Sequence, residues 1–102
     1  MEIDSPMDLL AGEIKDARRY AMLALEYKDK DKELADLYCK LAAEELDHMS
    51  RLHAQVLRLI DNQRRVDPES LPRTMAVYDH LHKRDIDQVA EIGVLQMQYK
   101  SK

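Results

Sequence analysis

The feature that most constrains this chain is a set of apolar residues along residues 34–59 whose spacing alternates between four and three positions. Its members are Leu34, Tyr38, Leu41, Leu52 and Leu59. This spacing places them on one face of an α-helix that packs against another helix. Helix-breaking residues are rare, since only two Gly and three Pro occur in 102 residues. We therefore predict an all-α chain whose second helix covers about residues 32–63 and is about 48 Å long.

Two more helices are predicted around this one. The first covers about residues 6–29 with Ser5 as its N-cap, and Asp31 follows a polar break as the N-cap of the second. Two prolines interrupt the helical pattern in a linker. This linker covers residues 64–72 and follows the second helix. The third helix covers about residues 73–99. We expect residues 1–102 to form one domain, a long antiparallel hairpin plus a third helix.

Composition and charge exclude several classes of protein. A formal net charge of −4 argues against nucleic acid as the main partner. The sequence contains no run of about 20 apolar residues that could span a membrane, and the opening MEIDSPMDLL lacks the apolar segment of a signal peptide. The single cysteine, Cys39, excludes an internal disulfide and a four-cysteine metal site. We expect a cytoplasmic protein with no membrane partner.

Two ionisable residues interrupt the apolar face of the second helix. Glu45 and His48 continue its alternating spacing, so we predict that they lie on the packed face and not opposite it. The first helix repeats this pattern, because Glu13 is the only acid on a face with Leu10, Ala17, Tyr20, Ala24 and Tyr27. A charged carboxylate on a packed face is costly unless a partner compensates it.

The hairpin brings these three side chains to about the same level along its axis. If the chain reverses between residues 30 and 31, Glu13 comes level with His48 and lies about 4.5 Å from Glu45 along the axis. Carboxylates can bind or bridge iron, and imidazole supplies a neutral ligand. Four-helix bundles with carboxylate-bridged metal pairs use one Glu from each of two helices and Glu-x-x-His from each of the other two. One chain holds half of this set.

The shortage of ligands within one chain predicts a homodimer, or a higher homo-oligomer, with the metal at its interface. The expected ligands from each chain are Glu13, Glu45 and His48. The expected metal is iron, two ions per dimer, with zinc or manganese as alternatives.

The segment EIKDARRYAMLALEYKDKDKELADLYCKLAAEELDH, residues 13–48, resembles the first helix pair of the rubrerythrin and ferritin-like superfamily. The matching pieces are Glu13 with Ala17 and Tyr20, then AAEELDH ending in Glu45 and His48. The resemblance implies a ferritin-like four-helix bundle completed by dimerisation. It also implies that Glu13 is a terminal or bridging ligand, Glu45 the bridging carboxylate and His48 the imidazole ligand.

The chain also departs from that family. Rubrerythrins continue into a second Glu and Glu-x-x-His pair, but the third predicted helix here contains no Glu-x-x-His. They also carry a four-cysteine iron domain, which Cys39 alone cannot form. In plan, the half-sized chain is similar to encapsulated ferritins, which assemble a four-helix site from two two-helix chains.

Two functions follow as expectations. The first is an iron-binding protein that oxidises Fe(II) with dioxygen or peroxide, as a ferroxidase-type oxidoreductase does. The alternative is a non-catalytic dimerisation or interaction protein that retains a ferritin-like scaffold, with its acids satisfied by hydrogen bonds or by a structural ion.

Other polar residues receive structural interpretations. We expect His53 to pair with Asp8, and Asp16 to be a solvated acid unless it serves as an extra ligand or hydrogen-bond acceptor near the metal. We expect Tyr20 and Tyr38 to be core residues. His80 and His82 should be surface or interface residues, and Cys39 a buried or half-buried thiol.

Overall fold

The computed structural model describes residues 2–101, which form three α-helices. Helix α1 spans Asp4–Tyr27, α2 spans Lys32–Val66, a short 3₁₀ helix spans Pro68–Ser70, and α3 spans Leu71–Lys100. The predicted all-α class and the three helices are thus confirmed. The molecule is 55 Å long, close to the length of a 35-residue helix such as α2 at ~1.5 Å per residue. Within residues 2–101, no helix is long and apolar enough to cross a membrane.

The structure confirms the predicted N-cap of α2 but not that of α1. Asp31 caps α2 as predicted, because its Oδ1 accepts a hydrogen bond from the Leu34 amide at 3.1 Å. The prediction for Ser5 was wrong, since α1 begins at Asp4 and Ile3 occupies the N-cap position without a side-chain cap. Ile3 is only 1% exposed, so burial of this side chain favours the earlier start. Pro6 is tolerated there because amides in the first helical turn have no intrahelical partner.

The face that α1 buries keeps every second member of the predicted one and is displaced by one position at the others, where Ile14 and Ala21 are buried instead of Glu13 and Tyr20. Its buried residues again alternate between four and three positions and are Ile3, Met7, Leu10, Ile14, Ala17, Ala21 and Ala24. On α2 the buried set is Ala35, Ala42, Val56 and Ile60. The bulky residues of the predicted faces, including Tyr20, Leu41 and Leu52, are only half-buried. Small alanine side chains allow the helices to approach closely, so the alanine-rich stripes form the contact and the larger residues flank it.

Helix α3 covers one side of the α1–α2 hairpin and runs antiparallel to α2. Near its start, the Thr74 hydroxyl donates to Gln63 Oε1 at 2.9 Å. Near its end, the Tyr99 hydroxyl hydrogen-bonds Asp36. The guanidinium of Arg18 on α1 also reaches Glu91 on α3, at 3.0 Å. These contacts fix which side of the hairpin α3 occupies.

The opposite side of the hairpin is not covered within the described chain. Tyr20 follows Arg18 by two positions, so the two side chains point about 160° apart on an ideal helix. On α2, His48 and His53 point about 140° apart, and it is His53 that contacts α3, through Tyr78. We call this uncovered side the open face, defined by half-buried or exposed residues, namely Leu9, Glu13, Tyr20, Leu23, Leu41, Glu45, His48 and Leu52.

Candidate metal centre

Glu13, Glu45 and His48 lie together on the open face. His48 Nδ1 is 3.5 Å from Glu13 Oε2 and 3.8 Å from Glu45 Oε2. One ligand atom from each residue lies within 4.8 Å of the other two. Within residues 2–101 this is the only group of three or more His, Cys, Asp or Glu side chains with that convergence. The structure therefore brings together the three residues that the sequence predicts as metal ligands.

Helix geometry accounts for this convergence. Glu45 and His48 are three positions apart on α2, which makes them neighbours on one face of the helix. Glu13 reaches the same point from α1 because the reversal at residues 28–31 sets the register of the hairpin. The three side chains lie at the edge of the helix contact and not in its centre, which Ile14 occupies on α1.

Burial differs among the three side chains. Glu45 is 19% exposed, Glu13 27% and His48 50%. One oxygen, Glu13 Oε2, is nevertheless buried and has no hydrogen-bond partner. An ionised carboxylate oxygen without a partner is costly to bury. The only positive charge that the group can supply to it is His48, and only when that imidazole is protonated.

The spacing of these atoms suits one cation. Ligand atoms that bind a transition metal at ~2.1 Å lie about 3–4 Å from one another in tetrahedral or octahedral geometry. The distances of 3.5 Å and 3.8 Å from His48 Nδ1 fall in this range. Two carboxylates and a neutral imidazole carry a charge that balances a divalent cation. The group could thus hold such an ion, with coordination positions left for further ligands.

Tyrosines continue the open face from this group toward the hairpin turn. The rings of Tyr20 and Tyr38 stack with centroids 6.2 Å apart, and Tyr27 lies 5.9 Å from Tyr38. Tyr20 and Tyr38 are half-buried and pack against the edges of the buried clusters, so the prediction of core residues holds only in part, because alanines fill the closest contact between the helices. Cys39 is half-buried, as expected.

The predicted pair of Asp8 and His53 does not form. His53 Nε2 instead hydrogen-bonds the hydroxyl of Tyr78 at 2.7 Å, because α3 covers the side of α2 on which His53 lies. Asp8 is exposed, and so is Asp16, as expected for a solvated acid. His80 is exposed as predicted.

A second cluster of polar residues lies under α3 and was not predicted as a unit. The ring of His82 stacks on His53 at 5.0 Å and on Tyr78 at 5.0 Å, so His82 is half-buried rather than a surface residue. Asp85 is only 4% exposed, and its Oδ2 has no hydrogen-bond partner. Burial, followed by the charge of His82, lowers the pKa of His53, whereas the charge of Asp85 raises it. The spacing of His82 and Asp85 on one helical face was the available signal.

Comparisons of this chain with family models, with curated proteins and with solved structures find no match.

Proposed function

We propose that this chain is a metal-binding protein that holds a divalent cation, iron in the first place, through Glu13, Glu45 and His48. The observation that carries the proposal is the buried, unpartnered Glu13 Oε2 beside a second carboxylate and an imidazole at ligand spacing. A cation would remove the cost of that oxygen, since it pairs with both carboxylates at once.

The proposal extends to a dimer whose two open faces meet. Three ligands leave an iron ion, which commonly takes six ligands, incompletely coordinated, and a second copy would add two Glu and one His. The resulting four Glu and two His are the ligand set of a carboxylate-bridged pair of metals in a ferritin-like bundle. Half-buried Tyr20, Leu41 and Leu52, together with Leu9, which is 58% exposed, would become buried in this contact. We expect a two-fold interface above about 2,000 Å².

The chemistry proposed for this centre is oxidation of Fe(II). Fe(II) is the substrate: two ions would give two electrons, which with two protons from solvent reduce dioxygen to hydrogen peroxide, or hydrogen peroxide to two waters. The residues of the chain would hold and orient the ions, with Glu45 as the bridging carboxylate, Glu13 as a terminal or bridging ligand and His48 as the nitrogen ligand.

A specific observation also favours the non-catalytic alternative. If His48 is protonated, its two contacts of 3.5 Å and 3.8 Å are ion pairs with Glu13 and Glu45. The group would then be charge-compensated without a metal, and the open face would serve dimerisation alone.

Calorimetric titration separates the two functions. Anaerobic protein purified without chelators is titrated with Mn(II) and then Fe(II), and its mass is followed by sedimentation. Expected are one ion per chain, a dimer, and a rise in ferric absorbance on exposure to air. Glu45→Gln should abolish metal binding, whereas the neighbouring exposed Glu44→Gln serves as the matched control and should bind normally. A dimer that binds neither ion supports the interaction scaffold instead, and equal binding by both variants contradicts this ligand set.

A further inference from the structure

A cavity lies between the three helices, on the side of the hairpin that α3 covers. Its volume is about 340 Å³, more than twice that of an engineered apolar cavity of about 150 Å³ that binds benzene in another protein. Its inner wall is deeply buried, since Met7 and Leu10 are 2% and 3% exposed. Ile86 is 52% exposed, so the cavity opens to solvent beside this residue. The remaining lining residues are Met49, His53, His82, Asp85, Val89 and Ala90.

The surface that the cavity presents is almost entirely apolar, although three of its lining residues are polar. His53 Nε2 shares a hydrogen bond with the Tyr78 hydroxyl at 2.7 Å, and the ring of His82 stacks on the rings of both residues. Asp85 Oδ2 is buried, and Oδ1 contacts Arg84 at 3.3 Å. A ligand in the cavity therefore meets hydrocarbon and thioether groups, and the described lining offers no partner for a charge.

This lining favours a neutral ligand over either ion. Water is held weakly in such a cavity, because a buried water needs several hydrogen-bond partners. A neutral apolar molecule displaces that water without losing hydrogen bonds of its own. An ammonium or carboxylate group would lose its hydration shell and gain no partner in exchange. A carboxylate would in addition be repelled by the nearby charge of Asp85.

We propose that this cavity binds a neutral aromatic hydrocarbon of about the size of naphthalene. The volume exceeds the one that benzene fills, so a second fused ring can be accommodated. Met7 and Met49 both line the cavity. Thioether sulfur makes favourable contacts with aromatic rings, and the flexible methionine side chain adapts to the shape of a ligand. This inference does not rest on the metal centre, which lies on the open face.

The experiment uses the full metal-free chain and three ligands with the same pair of fused rings, namely naphthalene, naphthoate and naphthylmethylammonium. Binding is followed by ligand fluorescence and by amide chemical shifts in NMR spectra. We expect naphthalene to bind at least about tenfold more tightly than either ion, with the largest shifts near Leu10 and Val89. Equal affinities for the three ligands, no binding of naphthalene, or shifts confined to Tyr20 and Leu41 on the open face would each overturn the proposal.

Two matched variants of α3 test the location. Ala90 lines the cavity and is exposed at its edge, so Ala90→Phe should fill part of the cavity and lower the affinity for naphthalene at least about tenfold. Ala76→Phe adds the same ring at an exposed position about 21 Å earlier along the helix and should bind normally. Circular dichroism checks the fold of both variants, and the wild-type shifts decide the location if Ala90→Phe does not fold. If Ala90→Phe folds and binds naphthalene as tightly as Ala76→Phe does, the proposal fails.

Discussion

Glu13 and Asp85 present the same electrostatic problem on opposite sides of the hairpin, but the histidines around them are arranged differently. Each residue buries a carboxylate oxygen that has no hydrogen-bond partner. Beside Glu13, the Nδ1 atom of His48 and a second carboxylate lie at ligand spacing. Beside Asp85, the rings of His53 and His82 stack in parallel planes. The first arrangement suits a small divalent ion, whereas in the second no ligand atoms converge on one point.

The difference arises from the angle at which the polar side chains of two helices meet. At the metal centre, Glu45 and His48 share one face of α2, and Glu13 on α1 meets them at the edge of the helix contact. Under α3, His53 and His82 face each other from two helices, so their rings stack and fill the space between them. Because His82 and Asp85 are also three positions apart on one helix, convergence of ligand atoms depends on how the side chains are oriented across the helix pair, and not simply on a high local density of histidines and acids.

The largest expected effect is a rise in melting temperature on metal binding, and it should depend on Glu13, Glu45 and His48 and not on the cluster under α3. Binding to the folded state at 100 times Kd adds about 2.7 kcal/mol, which raises the melting temperature by about 10–20 °C for a chain of this size. We expect Mn(II) to produce this rise in the wild type and in His82→Gln, but not in Glu45→Ala. Thermal unfolding followed by circular dichroism measures it.

The metal-free protein supplies the control for this result. There, Glu45→Ala should raise the melting temperature, because it removes a carboxylate from a group with no counter-ion. A wild-type melting temperature that Mn(II) leaves unchanged would argue against the metal centre. If the rise is lost in His82→Gln, the metal binds at the cluster under α3 and not at Glu13, Glu45 and His48.

Removal of the charge of Asp85 should have a smaller effect. Asp85→Asn keeps the shape of the side chain but removes a buried charge, so we expect the free energy of unfolding to rise by about 1 kcal/mol. Urea denaturation measures this change. Asp87→Asn is the matched exposed control and should stay within about 0.5 kcal/mol of the wild type. Loss of stability in Asp85→Asn would mean that Arg84 already satisfies the carboxylate.

The sequence predicts the three helices because their apolar spacing is strong, but it misplaces the contact between α1 and α2 by one residue. Two neighbouring stripes on each helix have the same period, and hydrophobicity alone favours the one with Leu and Tyr. The structure instead buries the neighbouring stripe, which has Ala21 rather than Tyr20 on α1 and Ala42 rather than Leu41 on α2. The choice depends on how closely two backbones approach, which is a property of the pair of helices and not of either sequence segment.

The metal centre can be predicted from the sequence, whereas the cluster of His53, His82 and Asp85 cannot. Glu13, Glu45 and His48 are predicted together because a short turn fixes the register of α1 against α2. The contact between His53 and His82 depends on the register of α3, which is set by the 3₁₀ helix Pro68–Ser70. The sequence predicts only a linker there, which leaves the register of α3 open. It therefore cannot place Asp85 next to the stacked rings, and it pairs His53 with Asp8.

The smallest expected effect is a pH dependence of the free energy of unfolding that arises from the stacked rings of His53 and His82. Burial is the main cause that lowers the pKa of His53 below its ordinary value of 6.5. The unfolded chain then binds more protons than the folded one just below pH 6.5, so stability should fall as pH decreases through that window. NMR titration of the imidazole reports the pKa directly. Because the charge of Asp85 raises this pKa, Asp85→Asn should lower it further, and His53→Gln should remove this part of the pH dependence. A His53 pKa that rises in Asp85→Asn would show that the carboxylate does not act on the ring through its charge.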